Sequence, residues 1–537
     1  MVRAIKILCS HVLILAAVMV LPCRAQQYRG LREADKALNP IIWADVPDMS
    51  VVRTGDTYYM SSTTMHMYPN VPIMKSKDLV NWEIVSYAID TLADSETQNL
   101  DNGKNDYGRG SWASSLRFHN GMWYVSTFSH TTGKTYISSS TDIEKGPWKT
   151  VSFAPAFHDN TLFFDDDGRV YIIYGAGTLK LIELNADASG IKEAARETVI
   201  IDNAGEPAGD NLMLPAEGSQ VFRANGYYYL FNITWPRGGM RTVVIHRARS
   251  IYGPWYGRVA LQDKGVAQGG LTDTPDGRWF AYLFRDCGSV GRIPYLVPVT
   301  WEDDWPILGV DGKVPDSLCL PVSRGLIPGI VASDEFRRRR GEPSLPAVWQ
   351  WNHNPENTLW SVSHRKGRLR LTTSRIDSVF TQARNTLTQR TFGPVCSGQT
   401  MIDISGMKDG DFAGLALFQK KFGQVGVIVN GENVSVVMVN AGSGEPVVAA
   451  AVPVSLKRIY LRVECDYREQ ADLGYFYYSL DGIKWVAFGT PLKMEYSMPH
   501  FMGYRYGLFY YSTKNPGGSA DFDWFRVSDR ISARQGL

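Results

Sequence analysis

Through the first 300 residues the hydrophobic pattern repeats. An apolar strand, a turn containing glycine and an aromatic-rich strand recur five times: DMSVVRTGDTYYMSSTT from Asp48, WASSLRFHNGMWYVSTFS from Trp112, DNTLFFDDDGRVYIIYGAG from Asp159, EGSQVFRANGYYYLFNIT from Glu217 and QGGLTDTPDGRWFAYLFRD from Gln268. The turn glycines Gly55, Gly121, Gly168, Gly226 and Gly277 are spaced by 66, 47, 58 and 51 residues. Asn-Gly and Asp-Gly between β-rich runs are strong hairpin signals. A hairpin that returns at about 50 residues predicts four-stranded blades around a central channel. Five copies predict a five-bladed β-propeller over residues 26–325. No long helical periodicity competes with this reading.

Near residue 325 the pattern changes. Gly325-Leu326-Ile327-Pro328-Gly329 reads as a linker. Residues 331–537 then alternate at the strand period, with turns at Asn430-Gly431 and Asp481-Gly482, which predicts a β-sandwich. The whole chain is therefore expected to be all-β, a propeller followed by a concanavalin- or jelly-roll-like sandwich.

Residues 1–25 stand outside this plan. A basic start at Arg3 and Lys6, an unbroken apolar run from Val12 to Leu21, and Cys23-Arg24-Ala25 read as a signal peptide cleaved after Ala25. The run is too short to span a bilayer, which takes about 20 residues. Export is expected, to the periplasm first, with secretion or a lipid anchor on Cys23 as alternatives. Without the leader, 53 basic residues face 54 acidic ones. That balance argues against nucleic acid as a partner. The cluster Arg337–Arg340 reads as a solvated part of the linker region. Cys287, Cys319, Cys396 and Cys465 show no metal-ligand spacing and read as buried free thiols.

Candidate chemistry comes from the repeat. Counting back 12 residues from Tyr124, Tyr171, Tyr229 and Phe280, and 11 from Tyr59, gives Trp112, Asp159, Glu217, Gln268 and Asp48. Equivalent positions on innermost strands converge on one mouth of a propeller's channel. Asp48, Asp159 and Glu217 are thus expected to share one funnel. Like charges and burial raise carboxyl pKa values, so such a cluster can keep one acid protonated while another stays ionised. Acid/base cleavage of a glycosidic bond needs that combination. The acids of Asp165-Asp166-Asp167-Gly168 read instead as a structural turn.

At these residues the sequence resembles glycoside hydrolase family 43. The matching stretches are Pro47-Asp48-Met49-Ser50, Trp112-Ala113, His158-Asp159 with Phe164-Asp165-Asp166-Asp167-Gly168, and Ala216-Glu217-Gly218. The second domain resembles the sandwich of the family's xylosidase and arabinofuranosidase branch through Trp349–Asn354 and Asp521–Phe525. The resemblance implies an inverting mechanism, with Asp48 as general base, Glu217 as general acid and Asp159 as the residue that orients the acid and raises its pKa. It also implies that Trp112 and Arg292 bind substrate; Gln268, from the same repeat position, is a further candidate for substrate binding. Many family members carry a fifth-blade histidine that helps hold a central calcium or a water network. This chain has Gln268-Gly269-Gly270 there, so neither metal nor cofactor is expected.

The expected activity is release of terminal α-L-arabinofuranose from arabinose- or xylose-containing oligosaccharides. The alternatives are a β-xylosidase or dual enzyme and, from a different class, a non-catalytic sugar-binding propeller. Retention of all three acids counts against the last. The segment Pro499–Tyr506 of the sandwich is a candidate lip over the propeller mouth.

Overall fold

The computed structural model describes residues 36–327 and 329–532. The leader lies outside them. Five four-stranded antiparallel sheets follow in chain order, each built from contiguous sequence. Their innermost strands are Ser50–Thr54, Ser115–His119, Thr161–Phe164, Leu212–Ala224 and Ala267–Asp273. Among the described residues no blade borrows a strand from the far end of the ring. Closure falls to a separate two-stranded clasp, in which Lys36–Leu38 pairs with Ser317–Pro321.

The strand registers define layers along the channel. Val52, Arg117, Phe163, Phe222 and Thr272 lie opposite Tyr59, Tyr124, Tyr171, Tyr229 and Phe280. Two residues earlier on each strand stand Ser50, Ser115, Thr161, Gln220 and Gly270. Hydrogen bonds cross the channel at this level, from Ser50 to Gln220 at 3.2 Å and between Ser115 and Thr161 at 3.4 Å. Arg117 reaches up into it and donates to Leu162 O at 2.6 Å and Thr161 Oγ1 at 2.7 Å. Buried polar groups need such partners, and together they plug the channel below the mouth.

Two further residues up, the layer is Asp48, Ala113, Asp159, Gly218 and Gln268, which line a small axial cavity. This corrects the repeat count. The shorter hairpin that the count gave to the first blade alone is shared by the second and fourth. Trp112 and Glu217 therefore sit one residue outside the ring of equivalents.

The sandwich is formed by two eight-stranded sheets. One includes a strand from the propeller: Met67–Tyr68, an excursion of the first blade, pairs with Gln350–Asn352. The expected linker is docked, since Ile84 N–H donates to Gly329 O at 3.1 Å and a side chain at Gly329 would strike Trp82 O. Arg338 is not merely solvated. Its guanidinium meets both oxygens of Asp334, at 2.8 and 2.6 Å, and Asp334 also accepts from Trp349 Nε1 at 3.0 Å. Cys396 and Cys465 are buried cross-strand partners, whereas Cys319 is exposed and Cys287 half-buried, against the expectation of four buried thiols. The acids of the Asp165 turn are structural, with Tyr228 donating to Asp165. Among the described residues no helix is long and apolar enough to cross a membrane.

Three buried histidines seal the join between domains: His66 from the propeller, and His353 and His500 from the sandwich. Their rings pack around Tyr107, with His500 stacked on it at 4.1 Å. Gly108 N–H donates to His66 Nδ1 at 3.3 Å, and Asp106 N–H donates to His353 Nε2 at 2.9 Å. Both nitrogens accept, so both rings are neutral there. Burial holds all three below the usual imidazole range, His500 at about 3. A depressed folded-state pKa means that the unfolded chain binds more protons below about pH 6.5. The contribution to stability is thus complete above that pH and is lost as pH falls towards the folded values. We expect Tm to decline between about pH 6 and 4, and the decline to shrink in His500→Phe. Identical pH–Tm curves for variant and wild type would remove the cluster from the account.

Candidate active site

The carboxylates reach the mouth because the backbone turns sharply before each innermost strand. Asp48, Asp159 and Gln268 have φ of 51°, 47° and 55°. Non-glycine residues rarely occupy this region, and such strain gathers at functional sites. In the fourth blade Gly218 takes that conformation at φ 67°. The strand carries a bulge between Glu217 and Gln220. A bulge re-aims a side chain, and here it brings Glu217 to the mouth from one residue further out.

Each acid has a different partner. Arg292 Nη1 donates to both oxygens of Asp48 at 3.0 Å. Its own backbone N–H donates to Asp45 Oδ1 at 2.7 Å, which fixes the start of its strand. Gly291 is required beside it, because a Cβ there would lie 2.2 Å from Asp45 Oδ1. Asp159 Oδ2 accepts from Gly218 N–H at 3.0 Å. Glu217 Oε2 lies 3.1 Å from His158 Nε2, a contact that the repeat count did not reveal. The one available signal was the adjacency of His158 to Asp159 within the family motif.

Burial raises the Asp48 carboxyl; Arg292 opposes the rise, and Asp45 and Glu217 add to it. Burial also pushes Asp159 up to about 7, with His158 opposing and Glu217 and Asp48 adding. For His158, burial disfavours the cation, but the hydrogen bond to Glu217 and the charges of Asp159, Glu217 and Asp48 outweigh it and raise the ring to about 9.

The expected binding residues differ in setting. Trp112 forms a wall of the mouth, half-buried against His130 and His158. Arg292 is 3% exposed, and its Nε and Nη2 have no hydrogen-bond partner among the described residues. Gln268 packs its amide over Gly218, where a Cβ would meet it at 2.7 Å. His158, Asp159 and Glu217 each offer a donor atom within 4.8 Å of the others, a spacing that a cation could use. Both acids already accept hydrogen bonds.

The sandwich closes the mouth. Phe501 stacks on Trp112 at 5.6 Å, and the Arg292 guanidinium lies 4.4 Å above its ring. The lip is anchored where Tyr504 N–H donates to Ser289 O at 3.0 Å. Gly503 is needed there, since a Cβ would lie 2.1 Å from Val290 O. Tyr504 is not a lip residue: it is 1% exposed and its hydroxyl donates to Lys421 O.

A mouth that gathers three carboxyl groups, one of them ion-paired to an arginine, is the equipment of a glycoside hydrolase. Residues 37–306 match the family described as Glycosyl hydrolases family 43, and residues 333–528 match the Beta xylosidase C-terminal Concanavalin A-like domain. The chain belongs to glycosyl hydrolases family 43. A beta-xylosidase of Formosa agariphila is 30% identical over 91% of this chain and 89% of its own length. A non-reducing end alpha-L-arabinofuranosidase of Bacteroides ovatus is 26% identical over 62% of this chain and 64% of its own. Among solved structures, a bifunctional GH43-CE protein of Bacteroides eggerthii is 64% identical over 93% of this chain, with a TM-score of 0.92. The present chain spans 64% of that protein's length. A GH43 enzyme engineered to display both endo-xylanase and exo-arabinofuranosidase activity is 30% identical over 91% of this chain and 99% of its own, with a TM-score of 0.81.

The two aromatic residues of the lip should separate under mutation. Phe501→Ala is expected to raise KM several-fold with little change in Tm. Tyr504→Ala should cost about 3–5 kcal/mol of stability, as large buried aromatics do. Equal Tm losses in the two variants would make Phe501 an interface residue only.

Proposed function

We propose that the chain is an exo-acting, inverting pentosidase. In this reading Asp48 takes a proton from a water that attacks the anomeric carbon. Glu217 gives a proton to the departing glycosidic oxygen, and Asp159 fixes the backbone beside Glu217 while its charge favours the protonated acid. Arg292 favours the ionised form of Asp48 against the effect of burial and turns its remaining donors to the terminal sugar. The observation that carries the exo reading is Phe501 laid on Trp112: a mouth walled from a second domain admits a chain end more readily than a chain middle. For the released sugar we place α-L-arabinofuranose first, supported by the engineered GH43 enzyme that displays exo-arabinofuranosidase activity and aligns over 91% of this chain. β-Xylose is the second reading, favoured by the beta-xylosidase name of a relative of equal identity. Product analysis on arabino- and xylo-oligosaccharides decides between them, and a polymer cut internally would overturn the exo reading.

Asp48→Asn and Glu217→Gln are each expected to lower kcat by at least about 10²–10⁴-fold, the usual worth of general acid–base help. The Glu217 variant should lose least on nitrophenyl glycosides, whose leaving group needs little protonation. Near-normal turnover of an oligosaccharide by either variant would sink the assignment. Asp159→Asn removes a negative charge beside the acid, which lowers the acid's pKa. The basic limb of the pH–rate profile should therefore move down, and an unmoved limb would make Asp159 purely structural.

A further inference from the structure

We infer that His158 is the positioning residue of the general acid and the group that resupplies its proton. The inference rests on the reading of Glu217 as that acid. Asp159, the residue expected to orient Glu217, spends Oδ2 on Gly218 N–H and so holds the backbone next to the acid. Among the described residues, the side chain hydrogen-bonded to the Glu217 carboxylate is His158, at 3.1 Å, while Asp159 Oδ2 lies 3.9 Å from the same ring nitrogen. One imidazole thus bridges the two acids.

The ring is held for this task. Gly175 N–H donates to His158 O at 3.0 Å and fixes the backbone. The ring itself packs edge-on to Phe128 at 5.4 Å, beside His130 at 5.7 Å and Trp112 at 6.2 Å. The charged and titratable groups that face it are Glu217, Asp159 and Asp48, with His130 on the other side. His158 keeps 29% of its side chain exposed and Glu217 keeps 22%, so water reaches the pair in the free enzyme.

Three carboxylates against one arginine leave the mouth short of positive charge, and a proton on His158 supplies it. That proton begins on the wrong atom for catalysis. A bound sugar displaces water from the pair, and a dehydrated ion pair loses ground to its neutral form. The proton then passes from Nε2 to Glu217 Oε2 along the existing hydrogen bond, and Glu217 gives it to the glycosidic oxygen as the bond to the anomeric carbon breaks. The turnover leaves neutral His158, ionised Glu217 and protonated Asp48. Asp48 releases its proton to solvent and His158 takes one up, which balances the hydrolysis.

The test uses the full chain with His158→Gln and His158→Ala. Glutamine retains an N–H donor for Glu217 but carries no titratable proton at these pH values. Profiles of kcat/KM against pH are measured on an oligosaccharide and on a nitrophenyl glycoside, with Glu217→Gln alongside. For both His158 variants we expect the basic limb to fall by one pH unit or more. We expect kcat on the oligosaccharide to drop by about 10²-fold, with KM and nitrophenyl turnover much less changed. The alanine variant should lose more than the glutamine variant, because it also loses position. A wild-type basic limb in both variants, or equal losses on the two substrates, overturns the inference. If Glu217→Gln shows no dependence on leaving group, the acid assignment itself has failed. If it shows that dependence while the His158 profiles stay unchanged, only the role of His158 has.

Discussion

Two like unit charges 4 Å apart repel by about 4 kcal/mol at an effective dielectric of about 20. Asp159 and Glu217 bring carboxylate oxygens within 4.8 Å of each other, and Asp48 acts on both. Much of the site answers that repulsion. Arg292 neutralises Asp48, a backbone N–H steadies Asp159, and an imidazole meets Glu217. Because the compensators differ, the acids differ, and chemistry that needs an acid and a base at one pH becomes available.

The same constraint reaches the scaffold. Left-handed turns at Asp48 and Asp159 are tolerated because the hydrogen bonds to Arg292 and Gly218 hold their side chains in place. Arg292 is itself held by Asp45, and a glycine must precede it for the strand to approach that close. The plug of Arg117, Thr161 and Ser50 keeps the far end of the channel out of contact with the mouth.

The second domain completes the pocket. Its sheet accepts Met67–Tyr68 from the first blade, and its lip places Phe501 over Trp112 and Arg292. The two units share a sheet and a buried histidine cluster, so the lip is carried on a rigid join. A beta-xylosidase and a non-reducing end alpha-L-arabinofuranosidase are both similar to this chain in sequence. The fold therefore specifies a glycoside hydrolase more firmly than it specifies the sugar.

The sequence by itself determined the five-hairpin repeat, the sandwich, and the convergence of Asp48 and Asp159, because hydrophobic period and turn glycines are local and a ring of equivalent strands brings equivalent residues together. It also marked Glu217 and the lip at Phe501. Only the tertiary structure decided how Glu217 arrives. A one-residue bulge is invisible to a count along the chain, since it is defined by the partner strand. Nor could the sequence pair His158 with Glu217, separate Phe501 at the mouth from Tyr504 in the core, or dock Gly329 against the first blade. Each of these depends on contacts between segments far apart in the chain, and no local period encodes them.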